Sequence, residues 1–375
     1  MIYLDYNATT PVAPEAAAAM MTMVREEFGN PSSDYPLGQR AREAVAQARR
    51  LTADLIGAQP EDVIFTGSAT EANNTVLKGV AWHFGQGHII ASAVEHPAVT
   101  QPLSYLLTEG IEVTIVPVDG TGLVDPDDVK RALEPNTILI SIMHANNETG
   151  AIQPIAEIGA IAREAGVWFH TDAAQSVGKI PVQVDELQVD FLTLAGHKFY
   201  APKGVGALYV RPGRTFVPLL HGGGQEGGRR SGTENVPHIA ALGEACRLAK
   251  ARLTDDREHL RTLRDLLHER LKAGFPDLRL NGPEKKRLPN TLNVSFPGLA
   301  GEAILEGIPQ LAASLGAACH GAEEKPSAVL TAMGLPPELA RSAVRLSVGR
   351  PTTREEVERA AELILARVQE LRKSR

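Results

Sequence analysis

The chain has 375 residues, 43% hydrophobic and 22% charged, which excludes a minimal scaffold or a disordered chain and predicts one large or two medium domains around a buried core. Lysine plus arginine number 38 against 45 acidic residues, a formal charge of -7, so neither nucleic acid nor an anionic membrane is an expected partner. The two cysteines form no CxxC pair, the eleven histidines include no HExxH, and no apolar run approaches a membrane span, so the expectation is a cytoplasmic protein without a metal site.

In chain order, residues 1–15 lack the basic start of a signal peptide, and the apolar run 16–21 is too short to be one. Short apolar, β-branched runs then recur at 62–66, 88–92, 112–116, 137–143, 167–171, 191–194 and 206–210. Continuous runs of this kind suit strands buried on both faces. Segments with helical period separate several of them, at 71–83, 99–109, 126–134 and 155–165. Strand and helix in alternation predict an α/β fold whose large domain carries a mainly parallel, seven-stranded sheet. After Val236 a long helix is predicted from Ile239, Leu242, Cys246, Leu248 and Leu253, continued by Leu260, Leu263, Leu267 and Leu271. Strands at 288–296 and 343–347 follow, and Val357, Ala361, Ile364, Val368 and Leu371 form the stripe of a last amphipathic helix. The expected division is a large domain over 15–255 and a smaller α+β domain built from 1–14 with 256–375.

Polar groups stand at the ends of several predicted strands. Thr66-Gly-Ser-Ala-Thr-Glu71 joins a strand to a helix, where free N–H groups would favour a phosphate; read alone, Ser68 to Glu71 is equally a plain capping box. Lys198, in Gly196-His-Lys198, follows a buried strand, where burial would lower its pKa towards that of a nucleophilic amine; the bland alternative is an exposed loop lysine. Asp172 ends the neighbouring strand and is either an N-cap or, with Lys198, the pair that pyridoxal phosphate requires. His96 and Asn146-Asn147-Glu148 occupy equivalent edges. Cys319 lies in a Gly- and Ala-rich segment, where an exposed thiol reads as a nucleophile, whereas Cys246 reads as helix packing.

These residues stand in motifs that resemble the pyridoxal-phosphate cysteine desulfurases of the class V aminotransferase group, especially the selenocysteine lyases within it. The resemblance runs nearly end to end: Tyr3-Leu-Asp-Tyr-Asn-Ala-Thr-Thr-Pro11, Gly29-Asn-Pro-Ser32, Ala69-Thr-Glu71, Glu95-His96, Asn146-Asn-Glu148, Asp172-Ala-Ala-Gln-Ser176, Gly196-His-Lys198, Gly222-Gly-Gly224, Arg230-Ser-Gly-Thr233 and Arg345-Leu-Ser-Val-Gly-Arg350. Gly316-Ala-Ala-Cys-His320 is similar to the lyase version of the sulfur-accepting loop. The resemblance implies fold type I of the pyridoxal-phosphate transferases, with Lys198 as the Schiff-base lysine, Asp172 on the ring nitrogen and Gln175 near the phenolic oxygen. It further implies His96 stacked on the ring, Asn147 beside it, and Ala69, Thr70 and His197 at the phosphate. Thr233 would reach the phosphate of the other subunit of a homodimer, Arg345 would bind the substrate carboxylate, and Cys319 would become a persulfide.

Departures from the family pattern are Ala195, where many desulfurases have serine before Gly-His-Lys, and Gln225, where a histidine is common. The sequence also runs to Arg375 without the longer tail that some housekeeping desulfurases dock on an iron-sulfur scaffold protein, which sets that partnership apart from what the resemblance implies. The expected activity is removal of sulfur from L-cysteine to give L-alanine, with a sulfur-acceptor protein as a further partner. The alternatives are release of selenium from L-selenocysteine, a class V transaminase in which Cys319 is incidental, and a non-catalytic scaffold.

Overall fold

The computed structural model describes residues 1–315 and 326–373. All seven continuous apolar runs form strands: β2 (Val63–Thr66), β3 (His88–Ser92), β4 (Glu112–Val116), β5 (Thr137–Ser141), β6 (Trp168–Asp172), β7 (Phe191–Ala195) and β8 (Gly206–Val210), preceded by the short β1 (Ile2–Tyr3). They make one sheet of order β2-β8-β7-β6-β5-β3-β4, in which β8 alone runs against its neighbours. Every residue of β3, β5, β7 and β8 is buried, as continuous runs demand, whereas the edge strand β4 has partly exposed positions.

Helices cover both faces. α3 (Ala69–Phe84) and α4 (Pro97–Thr108) pack on one face through Val76, Leu77, Val80, Val99, Leu103 and Leu106. The other face is covered by α1 (Pro14–Arg25), α2 (Pro36–Ile56), α5 (Pro126–Arg131), α6 (Ile155–Ala165) and the first half of α7 (Val236–Gly274). Helices α1 and α2 are absent from the sequence expectation. Each begins with proline in its first turn, but the buried face of α2 mixes small residues (Gly38, Ala41, Ala48, Thr52 and Ala53) with Val45, Leu55 and Ile56, which leaves only a broken stripe of large apolar residues to read.

The C-terminal third builds a second core. A three-stranded antiparallel sheet of order β12-β10-β9, from β9 (Arg279–Leu280), β10 (Thr291–Ser295) and β12 (Ala343–Ser347), packs against the second half of α7 through Leu260, Leu263, Leu267 and Leu271. The short helices α8 (Gly301–Glu306), α9 (Ala328–Ala332) and α10 (Pro337–Arg341) precede α11 (Arg354–Lys373), whose Val357, Ile364 and Val368 close this core. β1 pairs in parallel with β11 (Leu311–Ala312), so the N-terminus joins the C-terminal third. α7 crosses residue 255 unbroken and serves both cores. Among the described residues no helix is long and apolar enough to cross a membrane.

β4 winds outwards from β3 while β5, β6 and β7 follow on β3's other side, so the winding reverses between β3 and β5. In open α/β sheets a crevice opens there, beyond the C-terminal ends of the strands. That edge carries the residues described next.

Candidate functional site

Asp172 is the last residue of β6, one position later than the expected strand end, and its carboxylate is buried. Oδ2 accepts from Asn73 Nδ2 at 2.7 Å, and Oδ1 accepts from the Ala174 N–H at 2.9 Å. The second bond is the turn cap that the plainer reading of Asp172 expects. The first comes from a fully buried side chain on α3 and holds the carboxylate in place. Asp172 has no ion-pair partner among the described residues.

Lys198 follows β7 in a single helical turn over Gly196–Lys198. Its half-buried Nζ donates to the carbonyls of Asn7 at 2.7 Å and Ala8 at 2.8 Å. Burial, reinforced by the Arg345 guanidinium and opposed by Asp5 and Asp172, lowers its pKa to about 8. Lys198 is therefore no freely solvated loop lysine.

The Asn7 carbonyl also accepts from Gln175 Nε2 at 3.0 Å. The Asn7 side chain donates to Thr291 Oγ1 at 2.8 Å and to the Asn147 carbonyl at 3.2 Å. Arg345, buried on β12, donates from Nη1 to the same Asn147 carbonyl at 3.0 Å and from Nη2 to Asp5 Oδ1 at 2.8 Å. One N-terminal asparagine thus ties together the groups beyond β5, β6 and β7 and the sheet that carries Arg345.

His96 caps α4, its Nδ1 accepting from the Ala98 N–H at 3.0 Å, while the residue stays exposed at the rim. Crowding by protein atoms and the Lys198 charge lower its pKa, and Asp172 opposes them. His197 contacts Thr9 Oγ1 through Nδ1 at 3.2 Å and is pushed down to about 4 by burial and then by Lys198, Lys203 and Lys179. Both imidazoles are neutral at physiological pH.

At the start of α3, Ser68 Oγ accepts from the Glu71 N–H at 3.1 Å. Only half of a capping box forms: the Glu71 carboxylate accepts from the Gly67 N–H at 2.9 Å and pairs with Arg230 at 2.8 Å instead of returning to Ser68. The N–H groups of Ala69 and Thr70 stand in the first turn, where no helical carbonyl can reach them. Thr233 is exposed on the loop that Arg230 ties to α3.

Cys319 lies outside the described residues. Its described flanks are anchored at the site: Ser314 pairs through its backbone with Arg345, and the buried Ser327 donates to Glu148 Oε2 at 2.5 Å. Cys246 is packing, as expected, and burial pushes its thiol up to about 12. The sequence reading passes over Asn7, Asn73, Asp5 and the buried Lys179; Asp5 and Asn7 stand in the Tyr3–Pro11 motif with no role attached.

Among known proteins, the chain is 47% identical over 378 residues to "Cysteine desulfurase IscS" of Dictyoglomus turgidum, an alignment that spans 99% of this chain and 95% of that protein. The protein of the same name from Methanosarcina thermophila is 46% identical over 375 residues, spanning 99% and 93%. A solved "NifS-like protein" superposes with a TM-score of 0.92 at 36% identity, covering 98% of this chain and 99% of that one. The structure titled "SspA in complex with cysteine" gives 0.84 at 37%, covering 94% and 100%. The family model described as Aminotransferase class-V matches residues 2–360, and on that span, with the strand-end lysine and aspartate in place, the chain belongs to the class V aminotransferase family.

Proposed function

We propose that this chain is a cytoplasmic cysteine desulfurase that uses pyridoxal 5'-phosphate to remove sulfur from L-cysteine, leaving L-alanine and a persulfide on Cys319. The observation that carries the reading is the pair formed by Lys198, an amine with its pKa brought down to about 8, and Asp172, a buried carboxylate with no cation paired to it among the described residues. A buried anion without a counter-charge is costly, and a protonated ring nitrogen would supply that charge. An amine whose pKa is brought down to about 8 is partly neutral near physiological pH, which suits an aldehyde, and the open first turn of α3 suits a phosphate. The residues present therefore fit the cofactor. Lys198, Asp172, Gln175, His96, Asn147, His197, Ala69 and Thr70 would hold it.

When bound, pyridoxal phosphate supplies an electron-withdrawing ring that stabilises negative charge beside the substrate amine. The chain supplies the rest. Lys198 Nζ takes the proton from the substrate α-carbon. Arg345, already braced by Asp5 and the Asn147 carbonyl, binds the substrate carboxylate through a planar fork that lysine could not reproduce. Cys319 Sγ, as thiolate, bonds to the substrate sulfur as the carbon-sulfur bond breaks. The electron pair stays with carbon, and protonation gives the methyl group of L-alanine. The anchoring of Ser314 and Ser327 beside Arg345 and Glu148 supports this role, because it holds both flanks of the Cys319 segment at the site. Thr233 is assigned to the phosphate of a second subunit in a homodimer, and a sulfur-acceptor protein would discharge the persulfide.

The reported relatives are named as cysteine desulfurases, which favours sulfur over selenium and over transamination. The test, run with an excess thiol reductant that frees the persulfide sulfur as sulfide, is alanine and sulfide release from L-cysteine, beside alanine and selenide release from L-selenocysteine, for the wild type and Cys319→Ala. Alanine and sulfide in equal amounts from cysteine, lost in Cys319→Ala, are expected. Full activity in Cys319→Ala, or 3-mercaptopyruvate and aminated cofactor without sulfide, would reject the reading.

A further inference from the structure

Lys179 is buried, and no step above uses it. Its Nζ makes no ion pair among the described residues. It donates to two amide oxygens, Gln175 Oε1 at 2.8 Å and Asn7 Oδ1 at 3.2 Å, and it lines with Lys198 one small cavity of about 10 Å³. Burial, and then the charges of Lys198 and Arg345, hold its pKa well below the usual lysine value. As an ammonium it has three N–H donors and no lone pair, so it can only donate to these two oxygens.

A side-chain amide has an accepting end and a donating end, and only its partners decide which end faces a site. With Gln175 Oε1 held by Lys179, the Gln175 N–H2 must point to the Asn7 carbonyl, the acceptor that Lys198 shares. With Asn7 Oδ1 held by Lys179 and Asn290, the Asn7 N–H2 must point to Thr291 and to the Asn147 carbonyl that braces Arg345. We propose that Lys179 is a positioning residue that sets the polarity of both amides, so that Gln175 presents a hydrogen-bond donor to the cofactor. This rests on the proposed function.

The test uses the cofactor-loaded protein. Wild type has to show a visible absorption band and alanine release from L-cysteine; absence of both overturns the proposed function and this inference with it. With both present, Lys179→Met is expected to displace the band maximum and weaken cofactor retention about tenfold, the loss of one well-placed hydrogen bond. Lys179→Gln, which keeps an N–H2 group on a side chain one atom shorter, is expected to give a smaller displacement. In a Gln175→Leu background either substitution should add nothing to the displacement, because of the two amides that Lys179 orients the one that faces the cofactor is gone. A wild-type band in Lys179→Met, or a displacement that adds in full to that of Gln175→Leu, overturns the role. If Lys179→Met does not fold, Lys179→Gln carries the same comparison: a displacement that vanishes beside Gln175→Leu supports the role, and one that persists overturns it.

Discussion

Two buried groups at the sheet edge have opposite pH signatures. Lys198 gives up its proton near pH 8 in the folded chain but only near the ordinary lysine value when unfolded. Between those values the unfolded chain binds more protons, so this group makes stability rise with pH there. Its chemistry follows the same midpoint: uptake of added cofactor by the apo protein, followed by the visible band, should accelerate up to about pH 8 and then level off. A rate still climbing at pH 10 would show an ordinary lysine. Glu95 behaves in reverse, since full burial holds its carboxyl up to about 8 despite bonds from Ser92 Oγ and the Met143 N–H. From the ordinary carboxylate range to about pH 8 the folded chain keeps a proton that the unfolded chain has lost, so stability falls as pH rises. Glu95→Gln removes the titration, and the fall in Tm between pH 5 and pH 8 should shrink; an unchanged fall assigns it to other groups. Lys198, Asp172 and His96 are legible in sequence because each follows a recognisable apolar run. Asn73 and Asn7 are not, since their partners lie 99 to 340 positions away and nothing local marks them.

At the scale of elements, α2 and α7 cross at Gly243, where an added Cβ would lie 2.6 Å from Ala48 Cα and 2.7 Å from Ala48 Cβ. The neighbour is backbone and cannot swing aside, so Gly243→Ala should destabilise the protein by about 1–3 kcal/mol, the usual cost of overpacking. Thermal unfolding checks this, and Ala48→Gly should restore part of the loss. The same crossing explains why α2 escapes a reading based on large apolar residues: it packs closely through alanine and glycine, and small side chains carry little periodic signal. The strands were legible for the opposite reason, because burial on both faces demands unbroken apolar runs. Their exact ends were less so: β5 stops at Ser141, short of the expected Met143, where the chain turns towards His144 and Asn146.

For the whole molecule, we propose the division at 255/256 as two bodies that share α7. An unbroken helix common to both cores resists hinging at that boundary, so limited proteolysis should not cut near residue 255 in the native protein. Cleavage there would show that the helix opens. The homodimer makes a separate prediction. If Thr233 completes a phosphate site in a second subunit, dilution to monomer should release cofactor, and light scattering of a monomer that keeps its full complement would reject the shared site.

Asn7 also imposes an order in time. It leaves the ribosome well ahead of its partners, since its backbone N–H waits for Ser347 Oγ, 340 positions later, and its side chain for Asn290 and Thr291. The sheet and its lysine can form before Ser347 is made, but the residue whose carbonyl receives Lys198 is pinned only after Ser347 has emerged. A nascent chain that stops short of Ser347 therefore has no finished site to load, and cofactor capture becomes an event that follows the synthesis of both cores.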